Sequence, residues 1–153
     1  MTTTYGTTSG TAAGIGARIA LTLMGAAGLI VGAFLNWTQS IQGTKLDVRA
    51  FWMTNFRSTG TFMATVGFAM IVAGLVAVVG LAMGTGWLTR LAGAVAVVGF
   101  VLFAIEVYRS SGDDMIDVGA WVALAGGIVT LIAGFFGPRQ VLTAPTNTVV
   151  VDE

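Results

Sequence analysis

The stretch Gly119–Gly126, GAWVALAG, has a near copy earlier in the chain at Gly60–Gly67, GTFMATVG. Both follow the order Gly-x-aromatic-x-Ala-x-x-Gly. In an α-helix, positions i, i+4 and i+7 share one face, so each stretch predicts a stripe of small residues with its aromatic side chain turned away. Helices in lipid associate through close backbone approach, which small residues permit. The pair therefore predicts membrane helices packed through glycine and alanine.

Other small residues continue this pattern along the chain. Two hypotheses explain the recurrence: an internal duplication, which would give two similar helical hairpins, or the separate use of small residues at each helix contact. Both give these residues a role in packing. The predicted helix-packing residues are Gly28, Gly32, Gly60, Ala64, Gly67, Gly74, Gly119, Ala123 and Gly126.

The composition indicates an integral membrane protein. Of 153 residues, 56% are hydrophobic and 9% are charged, whereas soluble domains carry about 25% charged residues. The formal net charge is zero and no basic run occurs, so nucleic-acid binding is not expected. Cysteine and histidine are both absent, which excludes thiol and imidazole chemistry. We therefore expect no enzymatic activity, no cofactor and no bound metal ion.

Four segments are long and apolar enough to approach the roughly 20 residues that a membrane-spanning helix needs. We predict an all-α bundle of four transmembrane helices within residues 17–137, with a loop over residues 38–60. Residues 1–16 and 138–153 are predicted to be flexible tails, because they lack hydrophobic periodicity. The predicted spans are residues 19–37, 61–83, 87–108 and 118–137.

An even number of spans places both termini on one side of the cell membrane. Arg18, Arg90 and Arg139 all lie at span ends on that side, which favours a cytoplasmic location for the termini. Trp37 is expected at the opposite membrane interface, where indole rings are enriched.

The loop sequence LDVRAFWMTNF, residues 46–56, suits either a short strand or an interfacial helix. Its aromatic residues Phe51, Trp52 and Phe56 are expected either to rest among lipid headgroups or to anchor a partner protein. Asp113 and Asp114 lie in the connector between the third and fourth spans. They predict a solvated acidic turn, with docking to a basic partner surface or cation binding as alternatives.

Glu106 is the one acidic residue inside a predicted span. Acidic residues within membranes often mark ion or proton paths. However, Glu106 lies one turn from the span end and Arg109 follows three residues later, so an ion pair on the helix surface is the preferred explanation and a proton or cation role is the alternative. Both hypotheses stay open on the sequence alone.

The stretches GLIVGAFLNW, residues 28–37, and GAWVALAGG, residues 119–127, resemble small four-span membrane proteins of actinobacteria, some of which accompany respiratory supercomplexes. The order of spans and loops is also similar to the claudin topology, without the claudin cysteines. The resemblance implies a non-enzymatic accessory or structural subunit, packed against a larger membrane complex through small-residue helix faces. The alternative hypothesis is a small proton or cation transporter or channel that uses Glu106.

Overall fold

The computed structural model describes residues 9–38, 40–54, 56–110 and 115–136. This part of the chain is mostly helical, which confirms the all-α prediction at the level of fold class. It also contains a small antiparallel hairpin that was not predicted. The helices are α1 (Ser9–Phe34), α2 (Val66–Ala82), α3 (Gly86–Arg109) and α4 (Val118–Ala133), and the strands are β1 (Asn36–Thr38) and β2 (Ile41–Gln42).

Two helix starts differ from their predicted positions. α1 begins at Ser9, so residues 9–16, predicted as part of a flexible tail, are helical. α2 begins at Val66 because Thr65 caps it: the Thr65 hydroxyl accepts a hydrogen bond from the backbone N–H of Phe68 at 3.1 Å. The remainder of the predicted tails, residues 1–8 and 138–153, lies outside the described residues.

The helices form a ring in which α1 and α3 each pack against both α2 and α4. Consecutive helices run antiparallel. A tight turn joins α2 to α3 and uses Gly84, whose φ of 69° suits a residue without a Cβ atom. The turn lies beside the start of α1 and the end of α4, and we call this side of the bundle the turn end. The opposite side, the cap end, is covered by the described residues between 35 and 65, which we call the cap.

Backbone hydrogen bonds tie the cap to the helix ends beneath it. The N–H of Gly67 donates to the carbonyl of Gly43 at 2.7 Å, and the N–H of Asp117 donates to the carbonyl of Trp37 at 2.8 Å. Within the cap, β1 pairs with β2, and a 3₁₀ helix spans Val48–Phe51. Of the stretch 46–56, for which the sequence suits a short strand or an interfacial helix, Leu46 and Asp47 form isolated β-bridges and Val48–Phe51 forms the 3₁₀ helix.

Large buried side chains gather beneath the cap. Trp37 is 0% exposed, and its indole N–H donates to the carbonyl of Gly32 at 2.9 Å. Its ring meets Phe103 edge to face, with 5.2 Å between ring centroids, and Phe56 meets Phe103 from another side. The cap thus folds over the indole and the helix backbone satisfies its N–H, so Trp37 faces the protein interior and not lipid, while its position at the level of a membrane interface stays a prediction.

Two helices are long and apolar enough to cross a membrane: Gly14–Phe34 within α1, and Gly86–Arg109, which is α3. The apolar helices α2 and α4 are shorter, with 17 and 16 residues. Each is extended by further ordered chain, since a 3₁₀ turn, Phe62–Ala64, precedes α2 and residues 134–136 continue past α4.

Candidate functional site

The contact between α1 and α4 is built from the predicted small residues, and we call it the α1–α4 seam. A Cβ atom placed on Gly32 would lie 2.7 Å from the backbone nitrogen of Ala123. A Cβ atom on Gly28 would lie 3.0 Å from the Cα of Gly126. At the cap end of the seam, a Cβ atom on Gly119 would lie 2.5 Å from the carbonyl oxygen of Asn36. Side chains larger than hydrogen at the glycine positions would push the two backbones apart.

Two predicted packing residues of α2 also lie at close contacts. Gly67 faces the cap, where an added Cβ atom would be 2.6 Å from the backbone nitrogen of Thr44. Gly74 faces α1, where an added Cβ atom would be 3.2 Å from the carbonyl oxygen of Ala26. These two residues therefore serve different contacts, one to the loop and one to a helix.

The prediction that Gly60 and Ala64 belong to the same helical stripe is wrong. Both precede α2, and a Cβ atom on Gly60 would have no neighbour within 4 Å. Ala64 lies in the 3₁₀ turn and is half-buried. The two similar stretches thus have different structures. The N-cap residue of α2 is Thr65, so α2 begins only near the end of the first stretch.

Further small residues fill the remaining helix contacts; the sequence pattern includes Gly80 and Gly127 but did not single out Gly93. Gly80 lies against α3, where an added Cβ atom would be 2.9 Å from the backbone nitrogen of Thr89. Gly93 of α3 lies against Leu131 and Gly127 of α4. The small-residue faces of all four helices are therefore used within this one chain.

The outward faces of the helices carry large apolar side chains. Every helix has several, and they alternate with the small residues that face inward. This arrangement is the reverse of a soluble bundle, whose large apolar residues fill the core and whose surface is charged. Examples from the four helices in turn are Leu23 and Val31, Leu75 and Val79, Val95 and Val98, and Ile128 and Ile132.

The aromatic residues predicted as a partner surface divide into two groups. Phe51 and Phe56 are half-buried and pack against the core, so only part of each ring is open to a partner, and their role in a partner surface stays a prediction. Trp52 is 57% exposed and remains available to a partner or to lipid. Asp113 and Asp114, the acidic part of the predicted surface, lie outside the described residues.

Other large apolar side chains of the cap are also exposed. They are Met53, Phe62 and Met63, and we call them, with Trp52, the cap patch. All four are aromatic or sulfur-containing residues in or close to a 3₁₀ segment, and the periodic pattern of a helix could not reveal them. Their shared property is exposure on a loop whose backbone is held firmly by hydrogen bonds to the helices below.

Glu106 lies in the last turn of α3, at the cap end, and is 7% exposed. Its Oε1 atom accepts a hydrogen bond from Nη1 of Arg109 at 3.3 Å, within a salt bridge whose arginine is largely exposed. The sequence-predicted i, i+3 pair is thus present. The described residues contain no group of three or more acidic side chains that could hold a metal ion.

Two arginines mark the turn end. The Nε atom of Arg90 donates to the carbonyl of Gly134 at 2.8 Å, and its guanidinium carbon lies 4.5 Å from the centroid of the Phe135 ring. Arg18 is 5% exposed, and its Nη1 atom donates to the carbonyl of Gly84 at 3.3 Å. The sequence places Arg18 at a span end but does not predict its burial.

No protein-family model, curated protein or solved structure matches this chain. Four features of the described residues bear on function. They are the small-residue seams, the cap patch, the Glu106–Arg109 pair and the buried Arg18.

Proposed function

We propose that the chain is a four-span protein of the cell membrane that works without enzymatic chemistry, as an accessory or structural subunit of a larger membrane complex. The observation that carries this proposal is the outward orientation of large apolar side chains on all four helices. Such a surface is unfavourable in water, and contiguous apolar surface of this kind marks contact with lipid or with other proteins.

The helix lengths are compatible with four crossings. At 1.5 Å per residue, α2 and α4 rise by about 26 and 24 Å, somewhat less than a hydrocarbon core of about 30 Å. The ordered segments that extend both helices reduce this mismatch, and bilayers thin locally at modest cost. We propose that the termini lie in the cytoplasm and that the aromatic cap is the outer feature. The positive-inside rule is not the ground for this orientation, because Arg18 and Arg90 at the turn end are balanced by the cations of the cap end, which are Lys45, Arg49, Arg57 and Arg109.

The proposed partner contacts the cap patch and not the small-residue stripes. The glycine faces are already occupied within the bundle, so they offer little to a second protein. The cap patch exposes a tryptophan, a phenylalanine and two methionines. Aromatic residues and methionine are enriched in protein interfaces, and tryptophan is among the commonest hot-spot residues. The resemblance to actinobacterial four-span proteins suggests a respiratory complex as the partner.

Co-purification with a partner tests the subunit proposal. We expect a tagged chain, extracted in a mild detergent, to recover a stable set of membrane proteins that mass spectrometry identifies. The double variant Trp52→Ser/Met63→Ser should recover roughly tenfold less of that set, because losing a hot-spot side chain removes at least this much affinity.

The turn end offers a matched control for this experiment. Trp87 and Met83 are also exposed, so Trp87→Ser/Met83→Ser removes the same side-chain types from the opposite side of the bundle. This variant should recover the partner normally. Equal recovery by both double variants would contradict docking through the cap patch, and recovery of no partner by the wild-type chain would contradict the subunit proposal.

A second candidate function, ion or proton transport, is favoured by the burial of Glu106. A carboxylate that is 7% exposed within a proposed membrane protein is costly unless it is paired. Arg109 supplies a partner at 3.3 Å, which accounts for the buried carboxylate without transport. The accessory-subunit proposal is therefore preferred.

Reconstituted liposomes distinguish the two candidate functions. We expect vesicles that contain the purified chain to lose a proton or potassium gradient no faster than protein-free vesicles, since Glu106 is neutralised by a neighbouring guanidinium. A pH-sensitive dye inside the vesicles provides the measurement. A flux that appears with the wild-type chain and disappears with Glu106→Gln would instead establish the transport function.

A further inference from the structure

Arg18 of α1 is a buried cation with unused hydrogen-bonding capacity. Its side chain is 5% exposed, and its Nη1 atom bonds to the Gly84 carbonyl. Its Nε and Nη2 atoms are buried and have no hydrogen-bond partner in the structure. Burying a charge is costly unless it is paired and hydrogen-bonded, so an acceptor at these two nitrogen atoms would stabilise the buried guanidinium.

The described acidic residues do not supply that acceptor. Asp47 belongs to the cap, Glu106 ends α3 and Asp117 precedes α4, so all three lie at the cap end. Arg18 lies on the other side of the bundle, beside the turn between α2 and α3. Arg90, the other described charge at the turn end, is also cationic.

A groove leads from the bundle surface to Arg18. It lies between the first half of α1 and the end of α2 and has a volume of about 430 Å³. Its walls are almost wholly apolar, and Arg18 and the turn residue Gly84 lie among the lining residues. The lining residues are Ile15, Arg18, Ile19, Leu81, Ala82 and Gly84. A ligand that fills this groove needs an anionic group at the arginine and apolar groups along the walls.

We propose that this groove binds an anionic phospholipid, with the headgroup phosphate paired to Arg18 and the glycerol and first acyl carbons against the apolar walls. The guanidinium fork suits phosphate, because its N–H donors match the spacing of two phosphate oxygens. The apolar walls favour a lipid over free inorganic phosphate. This inference depends on the proposed membrane location of the chain.

The depth of Arg18 in the bundle agrees with a headgroup contact. Arg18 and the end of α1 at Phe34 are separated by about 24 Å along the helix axis, at 1.5 Å per residue. With the cap end at one membrane surface, this distance places the guanidinium near the opposite boundary of a hydrocarbon core about 30 Å thick. Lipid phosphates lie just beyond that boundary.

Native mass spectrometry of the full-length chain in detergent tests the proposal. The probes are dioleoyl phosphatidylglycerol, dioleoyl phosphatidylcholine and inorganic phosphate, each titrated separately. We expect one phosphatidylglycerol to bind at least about tenfold more tightly than phosphatidylcholine, because both lipids carry a phosphate but the choline ammonium of phosphatidylcholine offsets its charge and repels the guanidinium. Arg18→Gln should remove this preference, and Arg18→Lys should retain part of it.

Two further variants separate lipid binding from folding. Ala82→Phe fills the groove without changing the arginine, because Ala82 is an exposed wall residue, and it should weaken binding of both lipids. Arg90→Gln removes the other turn-end cation, whose partners are Gly134 and Phe135, and it should leave the preference intact. Unchanged phosphatidylglycerol binding in both Arg18→Gln and Ala82→Phe would overturn the proposal.

Two other results of the lipid titrations would also contradict the lipid site. Equal binding of the two lipids would show that Arg18 does not select an anion, and saturation by inorganic phosphate alone would assign the site to the free ion. Either result overturns the lipid site and leaves the membrane location intact. Recovery of a monodisperse chain without detergent would instead overturn the proposed membrane location, and the lipid site with it.

Discussion

Trp37→Ala is expected to lower the free energy of unfolding by about 3–5 kcal/mol, the usual cost of truncating a fully buried aromatic residue. The substitution removes the edge-to-face contact with Phe103 and the indole hydrogen bond to the Gly32 carbonyl. It also leaves a cavity where the cap meets α1. Titration of the detergent-solubilised chain with sodium dodecyl sulfate, followed by circular dichroism, measures the change.

Trp87 provides the matched control for this substitution. It is 67% exposed at the start of α3, so Trp87→Ala removes the same side chain without opening a cavity. We expect a change within about 0.5 kcal/mol, as for other exposed positions. A comparable loss in both variants would show that tryptophan content, and not the packing beneath the cap, determines the result.

Gly126→Ala is expected to destabilise the chain by about 1–3 kcal/mol, as overpacking of a tight contact does. The added Cβ atom would lie 2.7 Å from the backbone nitrogen of Leu29 and 2.8 Å from the carbonyl oxygen of Gly25. Both are backbone atoms, so α1 must move away from α4 as a unit. The same dodecyl sulfate titration measures the effect.

Gly16→Ala is the control for Gly126→Ala, because it makes the same change within a helix where an added Cβ atom has no neighbour within 4 Å. It should raise stability by up to about 1 kcal/mol, since alanine has the higher helix propensity. Opposite signs for the two substitutions are the expected result. Destabilisation of similar size at both positions would contradict the tight α1–α4 seam.

The positions of the helices were largely predictable, because each helix coincides with a long apolar segment of the sequence. α3 and α4 begin within a residue of their predicted positions at 87 and 118. The start of α2 was predicted less well. Its position depends on a hydrogen bond from Phe68 to the Thr65 hydroxyl, and a hydropathy pattern does not record this bond.

The cap and the charged residues were harder to predict, because their positions depend on contacts between distant parts of the chain. Phe51 and Phe56 look like other loop aromatics in the sequence, yet both pack against α3. Phe51 lies beside Gly99, and the ring of Phe56 contacts the ring of Phe103. Arg18 looks like an ordinary helix-end arginine, yet the carbonyl of Gly84 holds it inside the bundle. Nothing near these residues in the sequence indicates either partner.

The similar stretches beginning at Gly60 and Gly119 show the limit of a motif. The second lies in α4, where it faces α1 through Gly119, Ala123 and Gly126. The first crosses the boundary between cap and helix, and only Gly67 makes a close contact. Spacing alone predicts which residues can share a helical face, but it does not establish that the helix extends over all of them.

The α1–α4 seam joins the first of the four described helices to the fourth. Until α4 has been translated, the glycine-lined face of α1 has no partner, and the Trp37 carbonyl lacks the N–H group that Asp117 later supplies. The hairpin of α1 and α2 therefore lacks its contacts with α4 while α3 is synthesised. Closure of the ring is consequently a late event in biogenesis, and a nascent chain that stops before α4 leaves its most tightly packed surface open.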